Sequence, residues 1–319
     1  MQLLQFQGNL LSVIVKMCMD IQGDPDLESR NVIRSSWHDD LPRAVYDDLE
    51  HVKVSDNWFE VYRMDHDVFA IYEPYQWQEV ISYLILGNKR ALLFDTGNGI
   101  GKISALVTEL TDLPVTVLNS HTHFDHMGGN SEFQDILAMD SDYTKRNMKG
   151  YANAAMRNEV SDEAICSVLP DGVDPEIHHI APFSAKELIR DGHKIDLGDR
   201  VLKVLSTPGH TPDSVSMLDQ EKGLLWPGDI FYAGPIWLFF PETDLDEFYS
   251  SVVRLCSLVP ELKTLHPSHN SPIALPGSLY KLKEALLSVR EGSVTGRALS
   301  GDRIEYVFNG FSLIMRSPR

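Results

Sequence analysis

Cationic side chains are scarce in this chain. Lys and Arg number 28 against 46 Asp and Glu, a formal charge of −18. Affinity for phosphate backbones runs on clustered Lys and Arg, so a nucleic-acid partner is not expected, a local basic groove apart. Cysteine is scarcer still: Cys18, Cys166 and Cys256 stand far apart, without CxxC spacing. The odd number opposes a disulfide framework and leaves buried free thiols as the reading. Long apolar runs are missing, and nothing here could span a bilayer. Leu10 to Met19 comes nearest. Lys16 interrupts it, no charged segment precedes it, and no small-residue cleavage site follows. It reads as an amphipathic N-terminal element, with a remodelled export signal as the alternative, and the expected location is cytoplasmic. Short repeats and low-complexity segments are absent as well. What remains is 319 residues with 43% apolar content, enough for one large domain or two modest ones with an ordinary core.

One stretch stands out: Asn119-Ser120-His121-Thr122-His123-Phe124-Asp125-His126-Met127-Gly128-Gly129. Leu113 to Leu118 before it is apolar and β-branched, a buried strand. Gly128-Gly129-Asn130 after it reads as a turn opening a helix. The cluster therefore lies on a loop at a strand end, where side chains converge from a rigid base. Alternate positions of an extended stretch share a face, so His121 and His123 can grip one ion. Asp125 and His126 lie past the bend and can face a second. Imidazole nitrogens with a carboxylate suit zinc, manganese or iron.

Residues 1 to about 55 read as an arm, with turn-rich segments at Asp24-Pro25-Asp26 and from Ser35 to Pro42. Residues 56 to 319 read as the folded domain. Phe59 to Met64 and Val68 to Tyr72 form one hairpin; Val80 to Leu86 and Ala91 to Phe94 form another around Gly87-Asn88-Lys89. Lys102 to Leu110 is helical. Ser131 to Ile136 reads as a short helix, Ile136 to Met139 as a strand, and Asp142 to Arg157 as helical by composition. Tyr143 to Pro182 reads as an insertion over the loop, a candidate lid. Strands follow at Lys186 to Ile189, Lys194 to Leu197, Val201 to Leu205, Val215 to Leu218 and Gly223 to Trp226. Asp244 to Leu258 is an amphipathic helix, Lys263 to Leu265 a last core strand, and Gly277 to Glu291 a helix. Arg303 to Val307 and Phe311 to Met315 close as a hairpin. Hairpins followed by strand–helix alternation, twice over, suggest two sheets packed face to face with helices outside.

Three more turns end predicted strands: Thr207-Pro208-Gly209-His210-Thr211, Gly228-Asp229, and His266-Pro267-Ser268-His269. With the first cluster they supply seven nitrogen and oxygen ligands, what a two-metal site needs when one carboxylate is shared.

The chain resembles the metallo-β-lactamase superfamily. The resemblance rests on His121-Thr122-His123-Phe124-Asp125-His126 as the family's HxHxDH loop, on the TPGHT turn at 207–211, on Gly228-Asp229 and on His269, in family order. It spans roughly residues 59 to 275. It implies an α+β fold, an αββα sandwich of two mixed sheets flanked by helices. Two divalent ions are implied, Zn2+ ahead of Mn2+ or Fe2+. His121, His123 and His210 would hold the first, and Asp125, His126 and His269 the second. Asp229 would bridge, and Asp95 would support the loop from behind. His266 is the rival of His269, which is preferred because it follows a short turn residue.

The resemblance also implies a hydrolase in which a hydroxide generated between the ions attacks a small-molecule substrate. Asp125 or a water would protonate the leaving group. Members that open β-lactams generally lack the bridging aspartate. Carboxylate-bridged members are lactonases, thioesterases, phosphodiesterases and sulfatases. A carboxylic ester, lactone or thioester is the expected substrate. A phosphodiesterase or nuclease, and a non-hydrolytic di-iron or metal-dependent binding protein, stand as alternatives. Tyr232 matches the spacing of a tyrosine that lactonases aim at the substrate carbonyl; packing is its other reading. Ile236 to Phe240 could line an acyl pocket or pack in the core. Lys145, Arg146 and Lys149 could greet an anion or form a solvated helix face. His178 and His179 read as solvated loop residues. The apolar stretch and the arm are consistent with a homodimer.

Overall fold

The computed structural model describes His38 and residues 41–317. Cys18, the segment Leu10 to Met19, the turn at Asp24-Pro25-Asp26 and most of the expected arm lie outside the described residues.

Strands form where apolar and β-branched runs are bounded by turn residues. The strands β1 (Glu50–Val52), β2 (Glu60–Met64), β3 (Val68–Tyr72), β4 (Ile81–Leu86) and β5 (Ala91–Phe94) make an antiparallel meander. His66 and Asp67, with φ of 64° and 54°, make the left-handed turn that suits the twist of the β2–β3 hairpin. After helix α1 (Ile103–Leu110), the strands β6 (Val115–Leu118), β7 (Ile136–Met139) and β8 (Glu187–Ile189) add in parallel and complete an eight-stranded sheet. The second sheet holds β9 (Lys194–Asp196), β10 (Val201–Ser206), β11 (Val215–Asp219) and β12 (Leu224–Trp226) in antiparallel order.

The chain then makes β13 (Pro235–Leu238), helix α5 (Leu245–Cys256) and β14 (Thr264–Leu265), which joins the second sheet parallel to β12. Four shorter or later helices are α2 (Phe124–Met127), α3 (Asp142–Asn147), α4 (Asn153–Met156) and α6 (Ser278–Arg290). A small third sheet joins β13 to the C-terminal strands β15 (Arg297–Ala298), β16 (Arg303–Val307) and β17 (Ser312–Arg316).

The two large sheets meet face to face. Tyr72, Tyr83, Phe94 and Leu92 from one interleave with Leu202, Val204, Met217 and Trp226 from the other. On the outer face of the first sheet, Ile71, Leu84 and Leu93 cover Ile103, Leu106 and Val107 of α1. On the outer face of the second, Leu205 and Leu225 cover Phe248, Val252 and Leu255 of α5. Burial on both faces explains why β3, β4 and β5 read as continuous apolar runs and do not alternate. Each such fully buried Leu or Val is worth roughly 1.5–3 kcal/mol. The architecture is the αββα sandwich expected from the sequence.

Two local expectations need correction. Asp142 to Arg157 is not one helix: α3 ends at Asn147, Gly150 turns with φ of 78°, and Tyr151 bridges to Ile180 before α4 begins. Ser131 to Ile136 is not a helix but one tight turn, Asn130–Glu132, followed by extended chain into β7. The C-terminal hairpin forms as expected, β16 against β17, and β13 adds to it in parallel with β17, Pro235 opposite Ser312 through Leu238 opposite Met315. Partners so far apart in sequence leave no local pattern. Among the described residues, no helix is long and apolar enough to cross a membrane.

Candidate metal centre

The strand ends converge on one side of the sandwich. Beyond β6 the chain stays extended through His123, with ψ of 156°, and then makes the single turn α2. His121 and His123 share one face of the extended part. Thr122 between them points the other way and donates to Asp213 Oδ2 at 2.5 Å. The helical turn swings Asp125 and His126 to the neighbouring position. Thus the helix lies within the loop, before Gly128-Gly129, and does not follow it. Gly128 is needed for a close approach: a Cβ there would lie 2.2 Å from Gly99 N.

All seven expected ligands come together. His121 Nε2 and His210 Nε2 lie 3.0 and 3.2 Å from His123 Nδ1. Asp125 Oδ2 lies 3.3 Å from His126 Nε2 and 3.8 Å from His269 Nε2. Asp229 faces both groups, with Oδ2 3.5 Å from His210 Nε2 and Oδ1 3.3 Å from His269 Nε2 and 3.5 Å from His126 Nε2. Three triads, His121–His123–His210, Asp125–His126–His269 and His121–His126–Asp229, each have donor atoms within 4.8 Å of one another.

The residues fit a pair of divalent ions. Buried His126 Nε2 and Asp229 Oδ1 have no hydrogen-bond partner among the described residues. Buried polar atoms are seldom left so, and a cation between them would satisfy both. The far nitrogens of the rings are held in turn. Nδ1 of His210 donates to the Trp237 carbonyl at 2.9 Å, and Nδ1 of His269 to the Gln78 carbonyl at 2.8 Å. Nδ1 of His126 lies 2.9 Å from Asp95 Oδ2, and Nε2 of His123 lies 3.2 Å from Glu242 Oε1. Each contact fixes a tautomer that leaves the lone pair of the inner nitrogen facing the cluster. Burial and the neighbouring imidazoles push His121 well down, and burial takes His210 down to about 4, so both are neutral near pH 7. Burial pushes the Asp229 carboxyl up, but His269 and His126 outweigh it and hold it well below the ordinary carboxylate range. Burial pushes His126 and His269 down too, but the carboxylates beside them, Asp125 and Asp229, outweigh it and raise both. These two rings would give up a proton on binding an ion, since metal binding requires neutral imidazoles and ionised carboxylates.

Asp95 supports this geometry from the end of β5 at φ of 66°, and its Oδ1 accepts from Ser120 N at 2.6 Å. Gly209, in the turn that carries His210, has φ of 129°, and a Cβ there would meet Phe248 N at 2.1 Å. That close approach packs the turn directly on α5. His266 faces elsewhere: its Nδ1 donates to the Pro272 carbonyl at 2.9 Å, and its ring lies 5.2 Å from Trp226. The fold brings His269, not His266, to the cluster, because Ile81 N donates to the Ser268 carbonyl at 2.8 Å and pins that turn.

Tyr232 is buried with its ring 4.8 Å from His269, and its hydroxyl donates to the Pro235 carbonyl at 2.7 Å. The hydroxyl is therefore committed to backbone, the packing alternative for this residue. Lys145 pairs with Asp140 at 2.7 Å, and Arg146 lies over the Tyr143 ring at 4.7 Å, so neither faces the cluster. His178 and His179 belong to no candidate metal group among the described residues.

Five residues of the cluster, His123, Asp125, His210, Asp229 and His269, line a cavity of about 380 Å³. Its walls are largely aromatic: Trp77, Phe124, Tyr151, Trp237, Phe239 and Phe240. The segment Tyr143 to Pro182 supplies part of one wall; its middle is tied to the loop between β3 and β4, and its two arms are bridged to each other. Trp77 N donates to the Ala164 carbonyl and Cys166 N to the Tyr75 carbonyl, both at 3.0 Å, and Tyr151 bridges to Ile180. Of Ile236 to Phe240, Ile236 points into the core while Trp237, Phe239 and Phe240 face the cavity. Residues that sequence patterns did not single out include Glu242, Gln78, Glu159 and Arg303. Gln78 Nε2 donates to Asp125 Oδ2 at 3.1 Å. Each sits in a loop, in a single helical turn or at a strand start, with no motif or period to mark it.

A family model described as metallo-beta-lactamase superfamily matches residues 76–294. The chain is similar to the acyl-coenzyme A thioesterase MBLAC2 of Gallus gallus, 26% identical over 213 residues, covering 63% of this chain and 76% of that protein. Its similarity to the protein of the same name from Homo sapiens is 25% over 189 residues, covering 56% and 67%. Among solved structures it resembles a metallo-beta-lactamase from Pontibacter korlensis, with a TM-score of 0.52 and 20% identity over 72% of this chain and 99% of that one. At that identity the likeness concerns the fold.

Proposed function

The chain belongs to the metallo-β-lactamase superfamily, and we propose on that premise that it is a metal-dependent hydrolase of acyl thioesters. The observation that carries the reading is the union of a seven-ligand cluster with an aromatic cavity of about 380 Å³. A cavity with those walls suits an apolar acyl chain better than a phosphodiester. The similarity to acyl-coenzyme A thioesterases points the same way. The lactone alternative leaned on a free Tyr232 hydroxyl, and that hydroxyl has a backbone partner.

Two divalent ions held by these donors, Zn2+ ahead of Mn2+ or Fe2+, would supply a water activated near neutral pH and an electrophile for the thioester carbonyl. The protein's part is positional. Trp237 and Gln78 carbonyls lock His210 and His269, Asp95 locks His126, and Glu242 locks His123. Asp229 aligns the two ligand groups through its two oxygens. Asp125, held by Gln78, stays an ionised ligand, and the leaving thiolate demands little protonation, since a thiol is already acidic near ~8.5. The aromatic walls keep bulk water from the acyl chain.

Hexanoyl-coenzyme A and a six-carbon acyl-homoserine lactone, given to metal-loaded and chelator-stripped protein, test this. Thioester cleavage lost with the metal and restored by Zn2+ is expected, and Asp229→Ala should lose metal content and turnover together. Undiminished turnover by stripped protein, or lactone opening without thioester cleavage, refutes the reading.

A further inference from the structure

The cavity wall includes Trp237 of β13 and Phe239 and Phe240 of the segment that follows it. The Trp237 ring stacks on Trp77 at 5.3 Å and lies 5.3 Å from the Phe239 ring. Over the Phe239 ring, at 5.1 Å, sits the guanidinium of Arg303. Arg303 starts β16, is 7% exposed and is the one Lys or Arg on the cavity wall among the described residues. Its Nε and Nη2 donate to the carbonyl and Oγ of Ser300 at 3.1 and 2.9 Å. Both partners are neutral. Among the described residues its Nη1 makes no hydrogen bond, and no carboxylate lies within ion-pairing distance.

Of the acidic residues on the cavity wall, Asp125 and Asp229 belong to the metal cluster, and Glu159 and Glu242 are engaged elsewhere. Glu159 Oε2 accepts from Trp77 Nε1 and Gln76 Nε2, and Glu242 Oε1 faces His123 and Tyr143. Across the strands, the partner of Arg303 is a second arginine, Arg316. Arg200 shows what this fold does with an arginine buried for stability. At 4% exposure it pairs with Asp219 at 2.6 Å. A desolvated guanidinium without a counterion is unfavourable, and it persists at sites where an anion arrives with a ligand.

We infer that Arg303 is a specificity-determining residue that binds an anionic group of the substrate, a carboxylate or phosphate, where its guanidinium lies over Phe239 on the cavity wall. This rests on the thioesterase reading only for where the reacting carbonyl lies. The anion can come from the far end of the acyl chain or from the leaving group.

Binding is read on the metal-loaded protein by quenching of tryptophan fluorescence, since Trp77 and Trp237 line the cavity. Suberate monoamide against octanamide, whose amides both stand in for the thioester carbonyl, reports an acyl-end anion; phosphopantetheine against pantetheine reports a leaving-group anion. In one of these pairs the anionic member should bind about tenfold or more tighter, the worth of a charge-assisted hydrogen bond. Arg303→Met should abolish that preference and Arg303→Lys should keep part of it, with far-ultraviolet circular dichroism unchanged in both. Turnover gives the parallel split between adipoyl- and hexanoyl-coenzyme A, or between hexanoyl-coenzyme A and hexanoyl-pantetheine. KM for the anionic member should rise about tenfold in Arg303→Met while kcat stays within about threefold. Equal binding within both probe pairs, or a preference indifferent to Arg303→Met, overturns the inference. Arg303-dependent anion binding without thioester cleavage would sink the hydrolase reading and leave the anion site standing.

Discussion

Glu159 offers a test of the cavity's polarity by pH. Its carboxyl is buried in the wall, and Oε2 accepts from Trp77 Nε1 at 3.0 Å and Gln76 Nε2 at 3.2 Å. Burial raises it from the ordinary 4.5 to about 7, with the two hydrogen bonds opposing and the Asp125 charge adding to the rise. Between about pH 4.5 and about pH 7 the folded state thus holds a proton that the unfolded chain has released. Unfolding free energy must then fall as pH rises through that window. At 1.36 kcal/mol for each tenfold change in proton affinity, the full loss is at most about 3 kcal/mol. About 2 kcal/mol of it falls between about pH 5.5 and about pH 8.5. In Glu159→Gln the amide oxygen can still accept both donors and nothing titrates. Urea unfolding of the two proteins across that range should show the variant gaining about 2 kcal/mol on the wild type as pH rises. A difference that stays flat, or that moves in the wild type's favour, would refute the account of Glu159 as a neutral wall group at its raised pKa.

Other outcomes follow from single contacts. Asp95→Ala removes the carboxylate beside His126 Nδ1 and should weaken metal binding about 10–100-fold, read by competition with a chelator. Gly209→Ala forces a side chain onto Phe248 N at φ of 129°; thermal melts should show a loss of about 2 kcal/mol or more, and an unchanged melting point would contradict the packing described. Tyr232→Phe removes the bond to the Pro235 carbonyl, so stability should drop by about 1 kcal/mol while thioester turnover stays within about threefold. A hundredfold fall in kcat would return Tyr232 to the chemistry.

What the sequence alone determined was local. Paired histidines on an extended stretch, proline–glycine turns after β-runs and a glycine–aspartate step each carry their geometry in their own neighbours. That is why all seven ligand candidates met in one cluster. The hairpins of the first sheet were legible for the same reason, since their turns and strands are contiguous. Tertiary structure alone decided the rest. The choice between His266 and His269 depends on a bond from Ile81, on a strand far away in sequence. The break in the expected 142–157 helix depends on Tyr151 finding Ile180. Glu242 behind His123, Glu159 beneath Trp77 and Arg303 over Phe239 belong to no motif, and their roles come from partners on other elements. Metal ligands announce themselves because one ion needs several donors at fixed angles, which short loops at strand ends supply. A cavity wall needs only that residues from remote segments meet, and a residue's own neighbours in the chain carry no record of that meeting.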